Sequence, residues 1–141
     1  MADRLSKKQR SINMSHIKNR DTTIEVKVRK FLFHAGFRYR KNDKRYPGIP
    51  DIVLPKYKTV IFVNGCFWHW HQNCKRATLP ETKRDFWKRK LSGNSVNDKF
   101  NKEHLERMGW YVIVVWQCEL EKDFNGIMHR IVDIISSRIK K

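Results

Sequence analysis

No run in this 141-residue sequence approaches the ~20 apolar residues needed to span a bilayer. The opening stretch, Met1-Ala-Asp-Arg-Leu-Ser-Lys-Lys, has no apolar segment of the kind an export signal carries. Cysteine is scarce and odd in number, at three, which argues against a disulfide framework. These absences lead to the expectation of a cytoplasmic protein with no membrane partner. Internal repeats, low-complexity tracts and Pro/Gly/Ser-rich linkers are also missing, so residues 1–141 read as a single domain. Acidic residues are few: 14 against 31 Lys and Arg, a net charge of +17. That balance excludes a neutral fold with no polyanionic partner as the default reading.

What is present narrows the field. Aromatic residues make up 12% of the chain and apolar residues 40%, which excludes a disordered basic tail. The positive charge is lopsided. Residues 1–107 hold 26 of the 31 basic groups and 10 of the acids, whereas residues 108–141 are nearly balanced. Such a field attracts phosphate backbones and displaces their counterions. Tryptophans interleave with the cations instead of segregating on one amphipathic helix, which favours nucleic acid over a membrane surface.

Residues 1–20 form a basic N-terminal segment, read as a short helix around Ser11–Lys18 or as an arm that orders on a partner. Thr22–Ala35 has the spacing of a helix with one buried face, through Ile24, Val28, Phe31, Leu32 and Ala35. Thr22-x-x-Glu25 reads as a capping box and Gly36 as the left-handed residue after the helix. Phe37–Arg40 looks extended, and Pro47-Gly48-Ile49-Pro50 forces a turn. The runs Asp51–Leu54 and Thr59–Val63 predict an antiparallel hairpin. An irregular Cys/His/Trp segment follows, then two helices, Glu81–Leu91 and Val96–Met108. Trp110–Trp116 is a continuous apolar run, expected to be a central strand covered on both faces. A last helix begins at Asp123 or Asn125, with Ile127, Ile131, Ile134 and Ile135 on one face. This order predicts an α/β sandwich around a small mixed sheet flanked by helices.

Three constellations carry chemistry. Cys66, His71 and Cys74 have the spacing Cys-x4-His-x2-Cys, and Cys118 follows the last predicted strand. Three thiolates and an imidazole are a ligand set for tetrahedral structural Zn2+. The plain alternative is three small buried hydrophobes, and His69 is a rival fourth ligand. The second constellation is Asp51 with Glu25 and His69. A carboxylate opening one strand beside the carbonyl that ends the next suits Mg2+, which phosphodiester hydrolysis uses to polarise phosphate and activate water. Against this, Asp51 could be a turn residue after proline and Glu25 simply half of a helix cap, while His69 could serve as a base or as a packed loop residue. The third comprises Phe67-Trp68 and Phe86-Trp87, the latter among Lys83, Arg84, Lys88, Arg89 and Lys90. Aromatics rimmed by cations stack on or wedge between bases; here Phe86 is expected in the core and Trp87 outward.

Pro47-Gly48-x-Pro50-Asp51, Val60-Ile61-Phe62-x-x-Gly65-Cys66-Phe67-Trp68-His69, Phe86-Trp87 and Gly109-Trp110-x-Val112-x-x-Val115-Trp116-x-Cys118 resemble the very-short-patch (Vsr) DNA mismatch-repair endonucleases. The likeness runs from about Arg10, through Asn13-Met14 and Arg20-Asp21-Thr22, to about Leu120. It implies a restriction-endonuclease-like (PD-(D/E)XK-type) core and nicking of one strand 5′ to the T of a T·G mismatch left by deamination of 5-methylcytosine. Under that resemblance Asp51 and the main-chain carbonyl of Val63 bind Mg2+, His69 is the general base, and Glu25 orders water. Cys66, His71, Cys74 and Cys118 match the zinc ligands. Phe67, Trp68 and Trp87 match the aromatic wedge, and Met14 the minor-groove segment. MutL, a DNA polymerase and a cytosine methylase are the implied partners, and a bacterial, nucleoid-associated monomer the implied state. Two positions depart from the family pattern. Val63 stands where Thr is usual, and Asn64 where a His assists near the scissile phosphate. Asparagine donates a hydrogen bond but cannot shuttle a proton at neutral pH, so a lowered rate or altered pH profile is expected. A noncatalytic zinc module binding DNA through its basic face, or a nuclease for another DNA structure, are the competing readings.

Overall fold

A computed structural model describes residues 22–138. The basic N-terminal segment, Met14 included, lies outside the described residues. Helix α1 (Thr23–His34) begins where predicted: Thr22 is its cap, and Thr22 Oγ1 accepts from the Glu25 N–H at 3.3 Å. It ends before Gly36, whose φ of +96° is one a side chain would strain. Strand β1 (Arg40–Lys41) covers only the end of the expected extended stretch, whose first residue, Phe37, is buried in the core. Strands β2 (Ile52–Leu54) and β3 (Thr59–Asn64) form the predicted antiparallel hairpin, with Ile52 opposite Ile61 and Val53 opposite Val60. A 3-10 turn (Pro55–Tyr57) and Lys58 in the left-handed region close it. The chain then crosses through the Cys/His segment and helix α2 (Arg84–Arg107) to strand β4 (Tyr111–Trp116), which pairs parallel with β3. Short helix α3 (Gln117–Lys122) and helix α4 (Phe124–Ser137) follow, the latter capped by the Asp123 carboxylate on Gly126 N–H.

The alternation of β3 sorts the core. Ile61 and Val63 share one face with Ile52, Leu54, Ile113 and Val115, packed against Val28 and Leu32 of α1 and Met128, Ile131 and Ile135 of α4. Each such fully buried aliphatic side chain contributes about 1.5–3 kcal/mol. Val53, Val60 and Val112 turn the other way, onto Leu105 of α2. The sheet is therefore a mixed four-stranded layer between helices, as expected.

Three expectations need correction. The order β1-β2-β3-β4 makes β4 an outer strand of the described sheet, not a central one. A continuous apolar run reports that both faces are covered, and helices do that for β4 without a second strand neighbour. The two helices expected at Glu81–Leu91 and Val96–Met108 are one helix of 24 residues. Gly93 lies inside it, in open space. A mid-helix glycine costs about 1 kcal/mol, too little to break a helix anchored at both ends by Trp87, Leu91 and Leu105. Finally, Trp87 is the inward residue and Phe86 the outward one, at 7% and 49% exposure. Trp87 stands one turn before Leu91 and shares its buried face.

Candidate active site and metal centre

Asp51 reaches the site by way of a strained loop. Gly48 and Ile49 have φ of +76° and +49°, unusual for a β-branched residue such as Ile49. A Cβ on Gly48 would meet Asn101 at 3.0 Å and Phe62 at 3.2 Å, so the loop is pressed onto α2 and β3. This delivers the Asp51 carboxylate to the end of β3, where Oδ2 accepts from the Val63 N–H at 2.6 Å. In a strand the N–H and C=O of one residue point to the same side, so the Val63 carbonyl shares the edge that Asp51 faces. Burial pushes the Asp51 carboxyl up to about 6, against the lowering influence of the Val63 N–H and of nearby His69, Glu25 and Arg29. Glu25 is within hydrogen-bonding reach of Asp51 and is 2% exposed. Its carboxylate thus does more than sit in a capping position. Asn64, 5% exposed, and His69 line the same cavity of about 190 Å³.

Asp98 was not singled out in the sequence. It stands on α2, with Oδ2 2.5 Å from His69 Nδ1. One turn earlier, Asn94 donates from Nδ2 to the Trp68 carbonyl at 3.0 Å. Two groups at i and i+4 of one helix therefore grip two consecutive residues of the Cys/His loop. The available signal was Asn94-x-x-Asn97-Asp98, small polar residues recurring on one face of an otherwise basic helix; Asn97 also lines the cavity.

Cys66, His71, Cys74 and Cys118 come together as a group, their ligand atoms all within 4.8 Å of one another. Tight turns do this locally: His71 N–H donates to the Cys66 carbonyl at 2.9 Å, and His69 N–H to that of Gly65. Cys118, at the start of α3, closes the group, with Sγ 3.4 Å from His71 Nδ1 and its N–H donated to Cys66 Sγ. Trp116 stacks flat on His71 at 4.0 Å between centroids. His69 is turned to Asp98, so of the two candidate histidines it is His71 that lies with the cysteines. Burial pushes the Cys66 thiol up to about 12. A metal ion reverses that preference by binding the thiolate. Donor chemistry and mutual spacing both fit a tetrahedral ion.

Phe67, Trp68 and Trp87 form a mutual edge-to-face triad, with centroids 5.4 to 5.9 Å apart. Lys90 Nζ lies 6.0 Å from the Trp68 ring. Lys88 and Arg89 are exposed beside it. Among the described residues no helix is long and apolar enough to cross a membrane.

The family model for DNA mismatch endonuclease Vsr matches residues 2–76. The Neisseria meningitidis protein named Type II nicking enzyme V.NmeAIP is 52% identical over 121 residues, 86% of each chain. Type II nicking enzyme V.XorIIP of Xanthomonas oryzae is 40% identical over 135 residues, 96% of this chain and 98% of that one. DNA mismatch endonuclease Vsr of Escherichia coli is 41% identical over 120 residues, covering 85% of this chain and 76% of that one. Taken with the Gly65–His69 block and the site it builds, these likenesses place the chain in the Vsr family of DNA endonucleases.

Proposed function

We propose that this protein is a Mg2+-dependent, zinc-stapled endonuclease that nicks one strand of duplex DNA 5′ to the T of a T·G mismatch. The observation that carries the reading is the meeting of Asp51 and the His69–Asp98 pair at one cavity, with Glu25 within hydrogen-bonding reach of Asp51, Trp68 in the cavity wall and the aromatic triad beside it. Asp51 and the Val63 carbonyl would hold Mg2+, and Glu25 would order water around it. The ion supplies charge neutralisation at the phosphate and acidifies water. With Nδ1–H donated to Asp98, His69 presents Nε2 as the base that takes a proton from the attacking water. Asn64, in the cavity wall, could donate a hydrogen bond but would carry no proton across it, so the reaction would lean on His69 alone.

Phe67, Trp68 and Trp87 would enter the base stack, which a T·G pair yields at lower cost than a Watson–Crick pair. Lys88 and Arg89 would meet phosphates, and Met14 the minor groove. Zn2+ on Cys66, His71, Cys74 and Cys118 would hold this loop to the sheet. The core would be of the restriction-endonuclease (PD-(D/E)XK) type, in one domain. A monomer suffices, since cutting one strand needs no two-fold symmetry. The setting would be the bacterial cytoplasm and nucleoid, with MutL and a polymerase accepting the nick.

The test is strand-resolved cleavage of T·G, T·C and fully paired duplexes in Mg2+, with Asp51→Ala beside the natural protein. Nicking confined to T·G, and lost in Asp51→Ala with binding retained, supports the reading. Binding without nicking under any divalent cation selects a noncatalytic module instead, and equal cutting of T·C selects another DNA structure as substrate.

A further inference from the structure

Arg29 follows Glu25 by one turn of α1, and both side chains are nearly inaccessible, at 6% and 2% exposure. The guanidinium Nη1 lies 3.7 Å from Glu25 Oε2 and acts on the ionisation of Asp51 as well. An i, i+4 pair on a helix is ordinarily a solvated surface feature. This one is turned inward, onto the carboxylate pair of the site. Arginine is the one side chain that stays cationic under such burial. The other basic side chain beside Asp51, His69, is already engaged by Asp98.

We propose that Arg29 is a resident counter-cation of the Glu25–Asp51 pair, a positioning residue that keeps the carboxylates assembled without metal and sets how tightly the site takes a divalent ion. The inference rests on the metal reading of Asp51 given above. Two carboxylates sharing a buried site repel each other unless a positive charge is present. Arg29 supplies one permanently, leaving a formal charge of −1 where the bare pair would carry −2. An arriving divalent ion is therefore attracted less strongly than by the pair alone. The protein gains a site that stays folded between encounters with metal and accepts weaker binding of it.

The test titrates Mg2+ alone onto full-length, DNA-free protein at mildly alkaline pH while following the thermal unfolding midpoint. Arg29→Met is expected to lower the metal-free midpoint and bring half-saturation about tenfold below the natural protein's. Glu25→Gln is expected to shift half-saturation about tenfold upward, and Arg29→Met with Glu25→Gln to return it near the natural value, because formal charge orders the series. Should Arg29→Met not fold, Arg29→Gln removes the charge while keeping hydrogen bonds and carries the same expectation. Half-saturation unchanged or raised in the charge-removing variants, or a double variant that behaves like Arg29→Met, overturns the proposal while leaving the metal reading intact. A natural protein whose midpoint does not respond to Mg2+ overturns both.

Discussion

His69 and Asp98 are 29 residues apart in the chain, yet their side chains meet at 2.5 Å, from Nδ1 to Oδ2. An imidazole with one nitrogen committed in this way has its tautomer and ring plane set, and the other nitrogen is left to act on substrate. A carboxylate in this relation also stabilises the imidazolium that forms once a proton is taken.

Asp98→Asn retains the shape of that contact but not the charge. Single-turnover nicking of a T·G duplex is expected to slow by roughly 10²-fold or more. DNA affinity is expected to stay within about threefold, since Asp98 is engaged with His69 and, as a carboxylate, would not bind phosphate. Equal loss of rate and affinity would remove Asp98 from the catalytic machinery.

Asn94→Ala separates the grip on Trp68 from the grip on His69. Losing the Nδ2 donor leaves the Trp68 carbonyl without its side-chain partner, at a cost of about 0.5–1.5 kcal/mol. Thermal unfolding checks that figure. Nicking is expected to fall by more than the stability loss explains, because the Trp68–His69 backbone is no longer tied to α2 on both sides of their shared peptide.

Why Asp98 and Asn94 were not legible in the sequence follows from how these sites are built. The Cys/His loop shows its chemistry locally, since Cys66, His71 and Cys74 crowd nine residues and only Cys118 comes from afar. The hairpin was equally local, set by β-branched runs on either side of a turn. Asp98 has no local signature: it is one carboxylate in a polar helix, and its meaning appears only when the parallel β3–β4 crossover lays α2 over the loop. The same helix hid its own length, because Gly93 looks like a break in one dimension and is only an exposed helical residue in three. Glu25 reads both as half of a cap and as a site residue; its N–H donates to Thr22 Oγ1 and its side chain lies within hydrogen-bonding reach of Asp51.

Proton competition at Asp51 gives a pH prediction with a definite sign. Burial raises its carboxyl from 3.8 in the open chain to about 6 in the folded protein. Between those values the folded state holds a proton that the unfolded state has released, so this group's contribution to stability falls as pH rises through that window. Above about 6 the ionised form carries the full cost of burial, roughly 3 kcal/mol. Metal-free Asp51→Asn is therefore expected to melt higher than the natural protein at neutral pH, with the difference shrinking toward pH 4. Mg2+ affinity of the natural protein is expected to weaken as pH drops below about 6, where protons occupy the same oxygen. Melting curves across pH, with and without Mg2+, check both signs.

Metal removal tests the cysteine group separately. One equivalent of zinc per chain is the expected elemental result. A strong chelator is expected to lower the unfolding midpoint and expose the thiols of Cys66, Cys74 and Cys118 to titration. Cys118→Ala is expected to abolish soluble protein or strip the metal, because it removes the ligand that ties the loop to α3. A stable, metal-free chain with unchanged melting would defeat the zinc assignment.

Phe86 and Trp87 are neighbours with opposite fates, and the pair separates packing from DNA contact. Trp87 is 7% exposed and packs edge-on against both Phe67 and Trp68 at 5.4 and 5.9 Å. Truncating a buried aromatic leaves a cavity, and Trp87→Ala is expected to cost about 3–5 kcal/mol. Phe86 is half exposed, so Phe86→Ala is expected to shift stability by no more than about 0.5 kcal/mol. If Trp87 swings out to enter the base stack, it must give up its contacts with Phe67 and Trp68. The triad then moves as a unit or opens on binding. Trp87→Phe keeps an apolar ring in the pocket and is expected to restore most of the stability lost in Trp87→Ala. Its recovery of T·G nicking is expected to be partial, because the smaller ring presents less surface to the bases. Full recovery of nicking together with stability would make Trp87 a packing residue only and assign the wedge to Phe67 and Trp68.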